Sequence, residues 1–347
     1  MPATPGPDPE SWLTVEAGGL YCRPGDFYID PHRPADRAVV THGHADHARP
    51  GNGAVLATEG TLAIMRARYG DAAWRAAQCA GYGETVRIGP VAVSFAPAGH
   101  VLGSAQAVLE YHGARVVVSG DYKRRRDPTC TAFDPVPCDV FITEATFGLP
   151  VFRHPPDAEE VAKLLAAQEA FPERPILLGA YALGKAQRLI RLLREAGVDR
   201  PIYLHGAMQA LCDLYEAQGV PLGPLVPVAG ADRKRLAGEI VLCPPSALAD
   251  RWSRGFKDPL TAMASGWMRV RQRARQRNVE LPLILSDHAD WDELTATLED
   301  VGAPRVWVTH GREEALVHHA RARGFDAKAL SLVGREDEDA DGEESAP

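Results

Sequence analysis

Cysteine is scarce and scattered in this chain. Cys22, Cys79, Cys130, Cys138, Cys212 and Cys243 include no C-x-x-C pair. That spacing speaks against a structural zinc knot or a disulfide framework, and the bland reading is buried, reduced thiols in a cytoplasmic protein. Long apolar runs are missing too: none approaches eighteen residues, so no membrane span or membrane partner is expected. The first ten residues are Pro-rich and acidic where an export signal is basic and then apolar. No internal repeat of fixed period is visible. Aromatic residues make up only 7%, yet 45% of the 347 residues are apolar, enough for a large core. Disordered and coiled-coil classes are thereby excluded, and the length suits two globular units or one domain with a large insertion.

Positive charge is in deficit only on paper. The net charge is −8, but Glu336, Asp337, Glu338, Asp339, Asp341, Glu343 and Glu344 crowd the last dozen residues. Without those seven acids the chain has 38 basic against 39 acidic side chains. The body is nearly neutral, so a polyanionic partner is compatible with it, and residues 335–347 are expected to form a disordered acidic tail.

Residues 1–150 read as β-rich. Short apolar runs such as Val91–Pro97, Ala105–Tyr111 and Arg115–Ser119 are broken by Gly and Pro, with one helix at Thr61–Tyr69. From Pro156 the texture alternates. Helices are expected at Ala158–Phe171, Lys185–Ala196, Ala207–Gln218 and Trp267–Arg277, and strands at Ile176–Gly179, Ile202–Leu204, Ile240–Cys243 and Leu260–Ala264. Such alternation implies a mostly parallel sheet covered by helices. After Leu281–Leu285 come helix Trp291–Val301, strand Arg305–Thr309 and helix Glu313–Arg323. The expected organisation is a first domain over 1–150, an inserted α/β domain over 151–283, and a return to the first domain over 284–334.

Chemistry concentrates in Thr41-His42-Gly43-His44-Ala45-Asp46-His47, directly after the apolar run Ala38-Val39-Val40. His42 and His44 would share one face of an extended segment, while Asp46 and His47 would fall where the chain turns and reach a second, neighbouring ion. Neutral imidazoles with a carboxylate suit zinc or manganese, leaving positions open for water. Three histidines in six residues are improbable by chance in a chain holding twelve. His100, Asp121 and His310 each follow or end an apolar strand, where side chains converge on a cleft. Taken singly, each is as well explained as a satisfied edge residue; beside the His42–His47 cluster they read as further ligands.

His42-x-His44-x-Asp46-His47, followed by His100 and Asp121, resembles the metallo-β-lactamase signature. Ile142-Thr143-Glu144-Ala145-Thr146-Phe147-Gly148, Ser286-Asp287-His288 and Thr309-His310-Gly311 resemble the three motifs of the β-CASP nucleases, the group of the polyadenylation endonuclease, the Artemis-type repair nucleases and RNase J. Gly184-Lys185-Ala186-Gln187 and Ser265-Gly266-Trp267-Met268 also occur in that setting. The opening Gly19-Leu20-Tyr21-Cys22 through Phe27-Tyr28-Ile29-Asp30-Pro31 resembles the bacterial DNA ligase-associated exonucleases most.

The resemblance implies an α/β fold, a metallo-β-lactamase αββα sandwich with an inserted α/β β-CASP domain. It implies a metal-dependent phosphodiesterase, an exodeoxyribonuclease in DNA repair, acting on DNA in preference to RNA. An ATP-dependent DNA ligase and a helicase would be partners in that pathway. His42, His44 and His100 would hold one divalent ion, Asp46, His47 and His310 another, with Asp121 bridging, so that Asp46 counts among the catalytic residues. Two such ions activate a water and stabilise charge on a phosphoryl oxygen. Asp30 would steady the His loop, its bland alternative being a turn cap before Pro31. Glu144 would orient His288, which would protonate the leaving oxygen or bind the scissile phosphate; as a bland alternative His288 caps the following helix. Competing readings are an RNA-processing nuclease of the same family and a catalytically inactive nucleic-acid-binding scaffold.

Other residues carry weaker signals. Gly179 to Lys185 fits G-x-x-x-x-G-K, but Ala186 stands where a Ser or Thr would bind magnesium, so an ATPase is rejected. Lys185, at a helix start with free amides, would still hold a nucleic-acid phosphate, with Ser265 and Gly266 as further substrate contacts. His205, after a strand, is a lesser cleft candidate. Lys123 to Arg126 reads as a basic run near the cleft or a solvated turn. Arg269, Arg273 and Arg277 share a helix face, and with Arg251 to Lys257 they mix cations and aromatics as a single-strand channel does. The tail lacks apolar residues with which to dock. Truncation after Gly334 is therefore expected to keep single-turnover cleavage within about tenfold, some 1.4 kcal/mol, of the full chain; a larger loss would place the tail in the site.

Overall fold

The computed structural model describes residues 6–330, so the acidic tail lies outside the described residues. The chain divides into two compact units: residues 6–150 with 288–330, and residues 151–287. Residues 284–287 thus stay with the inserted unit.

Unit 1 begins with β1 (Leu13–Glu16), β2 (Gly19–Cys22), β3 (Phe27–Ile29), β4 (Arg37–Val39), β5 (Asn52–Ala57), α1 (Glu59–Tyr69) and β6 (Trp74–Cys79). These six strands form one sheet in sequence order, antiparallel at first and parallel from β3 onward. Then come β7 (Thr85–Ile88), β8 (Val91–Pro97), β9 (Ala105–Tyr111), β10 (Ala114–Val118) and β11 (Val140–Ala145). His112 and Gly113 join β9 to β10 with φ of 47° and 87°; two left-handed residues give the twist a two-residue hairpin needs.

Unit 2 holds α2 (Asp157–Ala170), β12 (Ile176–Gly179), α3 (Lys185–Glu195), β13 (Ile202–Leu204), α4 (Gly206–Ala217), β14 (Leu225–Pro227), β15 (Ile240–Cys243), β16 (Leu260–Ala264), α5 (Arg271–Gln276) and β17 (Leu281–Leu283). Its sheet runs β14-β13-β15-β12-β16-β17, parallel throughout. The central β12 and β15 are buried at every residue, which explains their unbroken apolar sequences. The single helix expected over Trp267–Arg277 is interrupted: Val270 is extended, separating a 3-10 turn from α5. The face shared by Arg269, Arg273 and Arg277 does not form, and the Arg273 guanidinium instead lies 4.1 Å from the Trp267 ring centre.

Unit 1 resumes with α6 (Trp291–Val301), β18 (Arg305–Gly311), α7 (Glu313–Ala322) and β19 (Asp326–Ala329). The second sheet runs β19-β18-β11-β10-β9-β8-β7. Leu20, Phe27 and Ile29 of the first sheet meet Phe95, Leu109, Val116 and Trp307 of the second in one core. The outer face of the second sheet, with Val117, Phe141 and Val308, is covered by Trp291, Leu294 and Leu298 of α6 and Leu316 of α7. Met65 of α1 covers Val40 and Val55 on the first sheet. Unit 1 is therefore an αββα sandwich, and the inserted unit is α/β.

One irregularity sets up the site. The register of β11 against β18 shifts between Thr143 and Ala145, so that Thr143 faces Val308 but Ala145 faces Gly311. A bulge of this kind re-aims side chains, here around Glu144 and His310. His310 itself is left-handed at φ 62°, and Gly311 follows at φ 105° with its backbone against Ala145. A Cβ on Gly311 would lie 2.3 Å from the Ala145 carbonyl oxygen. Gly311→Ala is expected to cost about 2 kcal/mol or more of stability; denaturant unfolding of the metal-free protein checks this, and an unchanged midpoint contradicts it.

Candidate metal centre

The His loop hangs on Asp30. Just past β3, at φ 44°, Asp30 turns a fully buried carboxylate under the end of β4. Its Oδ1 accepts the Thr41 amide at 2.8 Å and its Oδ2 the Thr41 hydroxyl at 2.6 Å. His47 Nδ1 stands 2.7 Å from the same Oδ2. Thr41 has one hydroxyl proton and gives it to Asp30, so His42 Nδ1, 3.1 Å from Thr41 Oγ1, is the donor in that contact. Both histidines are thereby held with Nδ1 protonated and Nε2 bare. The chain bends at Gly43 and His44, where an extended segment was expected, and turns at Ala45–His47, where a turn was expected, closed by the His47 and Ala48 amides donating to the His44 carbonyl at 3.1 and 2.7 Å.

Ligand-type atoms of His42, His44, His100 and Asp121 all lie within 4.8 Å of one another, as do those of Asp46, His47 and His310. Asp121 Oδ2 is 3.4 Å from His42 Nε2, 3.9 Å from His100 Nε2 and 3.4 Å from His47 Nε2, so it faces both clusters. Asp46 Oδ2 is 3.3 Å from His47 Nε2. These separations lie beyond the commonest N–H···O range of about 2.7–3.2 Å, while His100 Nε2 stands 2.9 Å from His44 Nδ1. Two ligands each about 2.1 Å from a tetrahedral ion stand about 3.4 Å apart. The buried His42 Nε2 and Asp121 Oδ1 also have no hydrogen-bond partner, an arrangement costly in an empty interior. The residues fit divalent metal.

Electrostatics favour the ligand forms. Burial pushes His42 down to about 4, aided by His47 and opposed by Asp121. Desolvation works against the charged forms of Asp46 and Asp121, but His47 beside Asp46, and His47 with His42 beside Asp121, hold both carboxyls below their ordinary range. Metal binding needs neutral imidazole and ionised carboxylate.

A second assembly adjoins the first. Glu144 Oε1 accepts the Tyr122 amide at 2.8 Å, and its Oε2 is 3.0 Å from His288 Nδ1. Because Glu144 already accepts from the amide and is buried, the imidazole donates through Nδ1 and presents Nε2. Ligand-type atoms of Asp121, Glu144 and His288 fall within 4.8 Å of one another, and the rings of His100 and His288 are 4.7 Å apart. The backbone of His288 is clamped as well: Lys123 Nζ donates to its carbonyl at 2.9 Å, and the Ala289 amide donates to the Tyr122 carbonyl at 2.6 Å. Sequence reasoning took Lys123 for a cleft or turn residue; it is buried and paired with Glu293 at 3.0 Å. Arg124 pairs with Asp300 at 2.5 Å and Arg125 with Asp290 at 2.8 Å. Lys123, Arg124 and Arg125 are thus spent on α6 and its cap, and the i, i+3 acids Asp290 and Glu293 were the signal that could have shown it.

No family model matches the chain. A protein of Opitutus terrae named as a probable DNA ligase is 32% identical over 92% of this chain, which spans about a third (31%) of that relative's length. A ribonuclease of Thermus thermophilus is 28% identical over 88% of both chains, and so aligns with both units. The chain has the metallo-β-lactamase fold with an inserted β-CASP unit, and that ribonuclease is a β-CASP nuclease of the same fold. A crystal structure of a protein of unknown function from Enterococcus faecalis V583 superposes with a TM-score of 0.59 at 15% identity, covering 86% of this chain and 80% of the other; that likeness concerns the fold alone.

The expected substrate residues lie at the carboxyl ends of unit 2's strands. The free amides expected at Gly184 and Lys185 are not free. The Gly184 amide donates to Gln187 Oε1 at 2.8 Å, the Lys185 amide to Leu183 at 3.0 Å and the Ala186 amide to Tyr181 at 3.1 Å. Gln187, four residues after Leu183, supplies the cap that a phosphate would have replaced. The Lys185 ammonium is buried, 3.2 Å from Asp287 Oδ1 and 4.6 Å from the Tyr181 ring centre. Ser265 is buried and caps the turn at Gly266 by accepting the Trp267 amide at 3.3 Å. His205 caps α4, its Nδ1 accepting the Ala207 amide at 3.1 Å. Among the described residues no helix is long and apolar enough to cross a membrane.

A buried neutral His42 makes the metal-free protein acid-labile. The unfolded chain takes up this proton near 6.5, the folded chain only at about 4. Between those values the unfolded state binds more protons, so stability falls as pH falls. Asp46 and Asp121, lowered in the fold, continue the loss with the same sign at lower pH. Melting temperatures of metal-stripped protein should decline steadily from pH about 7 to about 4, and His42→Gln should flatten the upper part of that decline; a wild-type melting temperature constant over this range contradicts the assignment.

Proposed function

We propose that the chain is a two-metal phosphodiesterase that trims DNA ends during repair, using zinc or manganese. The observation that carries the reading is Asp121 Oδ2 facing His42 and His100 on one side and His47 on the other at 3.4–3.9 Å. In this reading His42, His44 and His100 would hold one ion and Asp46, His47 and His310 the other, with Asp121 facing both sets. When bound, the ions supply an activated water and a positive field for the phosphoryl oxygens. Asp30 keeps His42 and His47 in the tautomer that presents Nε2. Glu144 holds Nδ1–H of His288, which stabilises the protonated imidazole, and His288 Nε2 delivers its proton to the departing oxygen. Lys185 fixes Asp287, the residue before His288, instead of meeting phosphate itself, while Ser265 and Gly266 shape the carboxyl edge of unit 2, the side where ligands bind to parallel sheets.

DNA is favoured by the similarity to part of a protein named as a probable DNA ligase, since trimming and sealing act on the same strand ends. A ligase, with a helicase to expose those ends, would be its partner. The likeness to a Thermus thermophilus ribonuclease across both units supports RNA cleavage as the second reading. Labelled single-stranded DNA and RNA, tested with manganese, zinc and magnesium, decide between them: end-derived products from DNA are expected, and cleavage of RNA with DNA spared would establish the alternative. Asp46→Ala should lose metal and activity together. His288→Ala should keep its metal and melting temperature yet lose roughly 10²–10⁴-fold in single-turnover rate, with Glu144→Gln similar and the double variant well short of additive. Wild-type turnover in folded His288→Ala would overturn the catalytic assignment.

A further inference from the structure

Unit 2 carries a second charged feature, at the opposite end of its sheet from Lys185 and Ser265. A groove of about 630 Å³ opens there, lined by Arg233, Lys234, Arg254, Lys257, Phe256 and Glu173, among others. These residues lie before β15, β16 and β12 respectively, that is, at the amino ends of three neighbouring parallel strands. Four cations face one acid, in a chain whose body is otherwise nearly neutral. Nearby acids are engaged elsewhere: Asp232 lies 3.5 Å from Arg235, and Asp258 and Glu280 lie 3.5 and 2.9 Å from Arg174.

The groove is built, not merely charged. Arg233 is half-buried, its guanidinium 5.5 Å from the Trp252 ring centre and 4.7 Å from that of Phe256, with Nη1 donating to the Trp252 carbonyl at 2.9 Å. A Cβ at residue 255 would meet that Nη1 at 2.1 Å, so the seat of Arg233 needs Gly255. Lys234, Arg254 and Lys257 are exposed around it. None of these four cations has an ion pair among the described residues. Three adjacent strands spread them over two spacings, roughly 10 Å. A single small anion does not fill that width, whereas a nucleic-acid strand, with one charge per about 3.4 Å of rise, places several there.

We propose that this groove binds the phosphate backbone of a single nucleic-acid strand, as a site separate from the metal centre. The proposal rests on nucleic acid being the substrate. The test uses the full chain in chelator, so that binding is read without cleavage, with a labelled single-stranded oligonucleotide of about 30 residues. Replacing Lys234, Arg254 and Lys257 together by Ser should weaken binding about tenfold or more and lower the slope of log affinity against log salt by about 2, some 0.7 per lost cation. The melting temperature should hold, since all three side chains are exposed. Removing as many exposed cations from unit 1, by Arg23→Gln, Arg37→Gln and Arg75→Gln, should leave both readouts within about twofold. Inorganic phosphate is a separate arm. If it displaces the oligonucleotide no better than sulfate of equal ionic strength, the strand is the ligand; if the groove takes phosphate while the triple Ser variant binds the oligonucleotide like wild type, the proposal fails. A protein that cleaves nucleic acid but whose affinity ignores these cations overturns the groove alone. A wild-type chain that binds no oligonucleotide overturns the groove and the proposed function together.

Discussion

The site depends on one buried carboxylate. Asp30 accepts from the Thr41 amide, the Thr41 hydroxyl and His47 Nδ1, and through Thr41 it also settles the proton on His42. A carboxylate with no exposure is tolerable only when its oxygens are satisfied, and here the donors that satisfy it belong to the residues whose orientation matters. Removal of the carboxylate would release the tautomers of two imidazoles, the end of β4 and the start of the turn in one step. The same reasoning explains Gly120. At φ 56° its backbone passes so close to Thr41 that a Cβ would stand 2.6 Å from Oγ1, and this contact brings Asp121 beside the His loop.

The second sheet contributes by irregularity. Regular pairing of β11 with β18 would alternate side chains between the two faces of the sheet. The shift between Thr143 and Ala145, with His310 left-handed, departs from that alternation where Glu144 and His310 must be aimed. Strained backbone of this kind costs stability, and it occurs here at the rim of the centre, while the interior pairs regularly.

Much of this was legible in sequence because a metal centre needs rare residue types in close order. Three histidines and an aspartate between His42 and His47, and ligand types closing apolar strands, leave few alternatives. The parallel sheet of unit 2 was equally plain, since strands buried on both faces are unbroken apolar runs. One strand with little burial was missed: β6, Trp74–Cys79, is exposed along most of its length and so carries no alternation to read. The helix over Trp267–Arg277 was overextended because Val270 breaks it through backbone conformation, not through a Gly or Pro. Charged residues were the hardest to interpret. A run such as Lys123 to Arg126 looks like a nucleic-acid patch until its carboxylate partners, some 165–176 residues away in sequence, are known.

Lys185 and Lys123 act alike. Lys185, in unit 2, pairs with Asp287 of the same unit, and Lys123, in unit 1, holds the carbonyl of His288 while pairing with Glu293. Both ammonium groups are buried. Burying a charged pair gains little stability over well-packed apolar side chains, because desolvation consumes most of the attraction. What such a pair does supply is position, since breaking it strands a charge away from water. Asp287 and His288 are consecutive residues at the point where the chain passes from one unit to the other, and each is fixed by a buried lysine of its own unit. The imidazole that faces Asp121 and Glu144 is therefore set by three constraints on a short stretch of chain: a carboxylate on its ring, an ammonium on its carbonyl, and an ion pair on the residue before it. The general-acid role proposed for His288 needs hydrogen-bond reach of its target, and a loop without these restraints would sample many positions outside that reach.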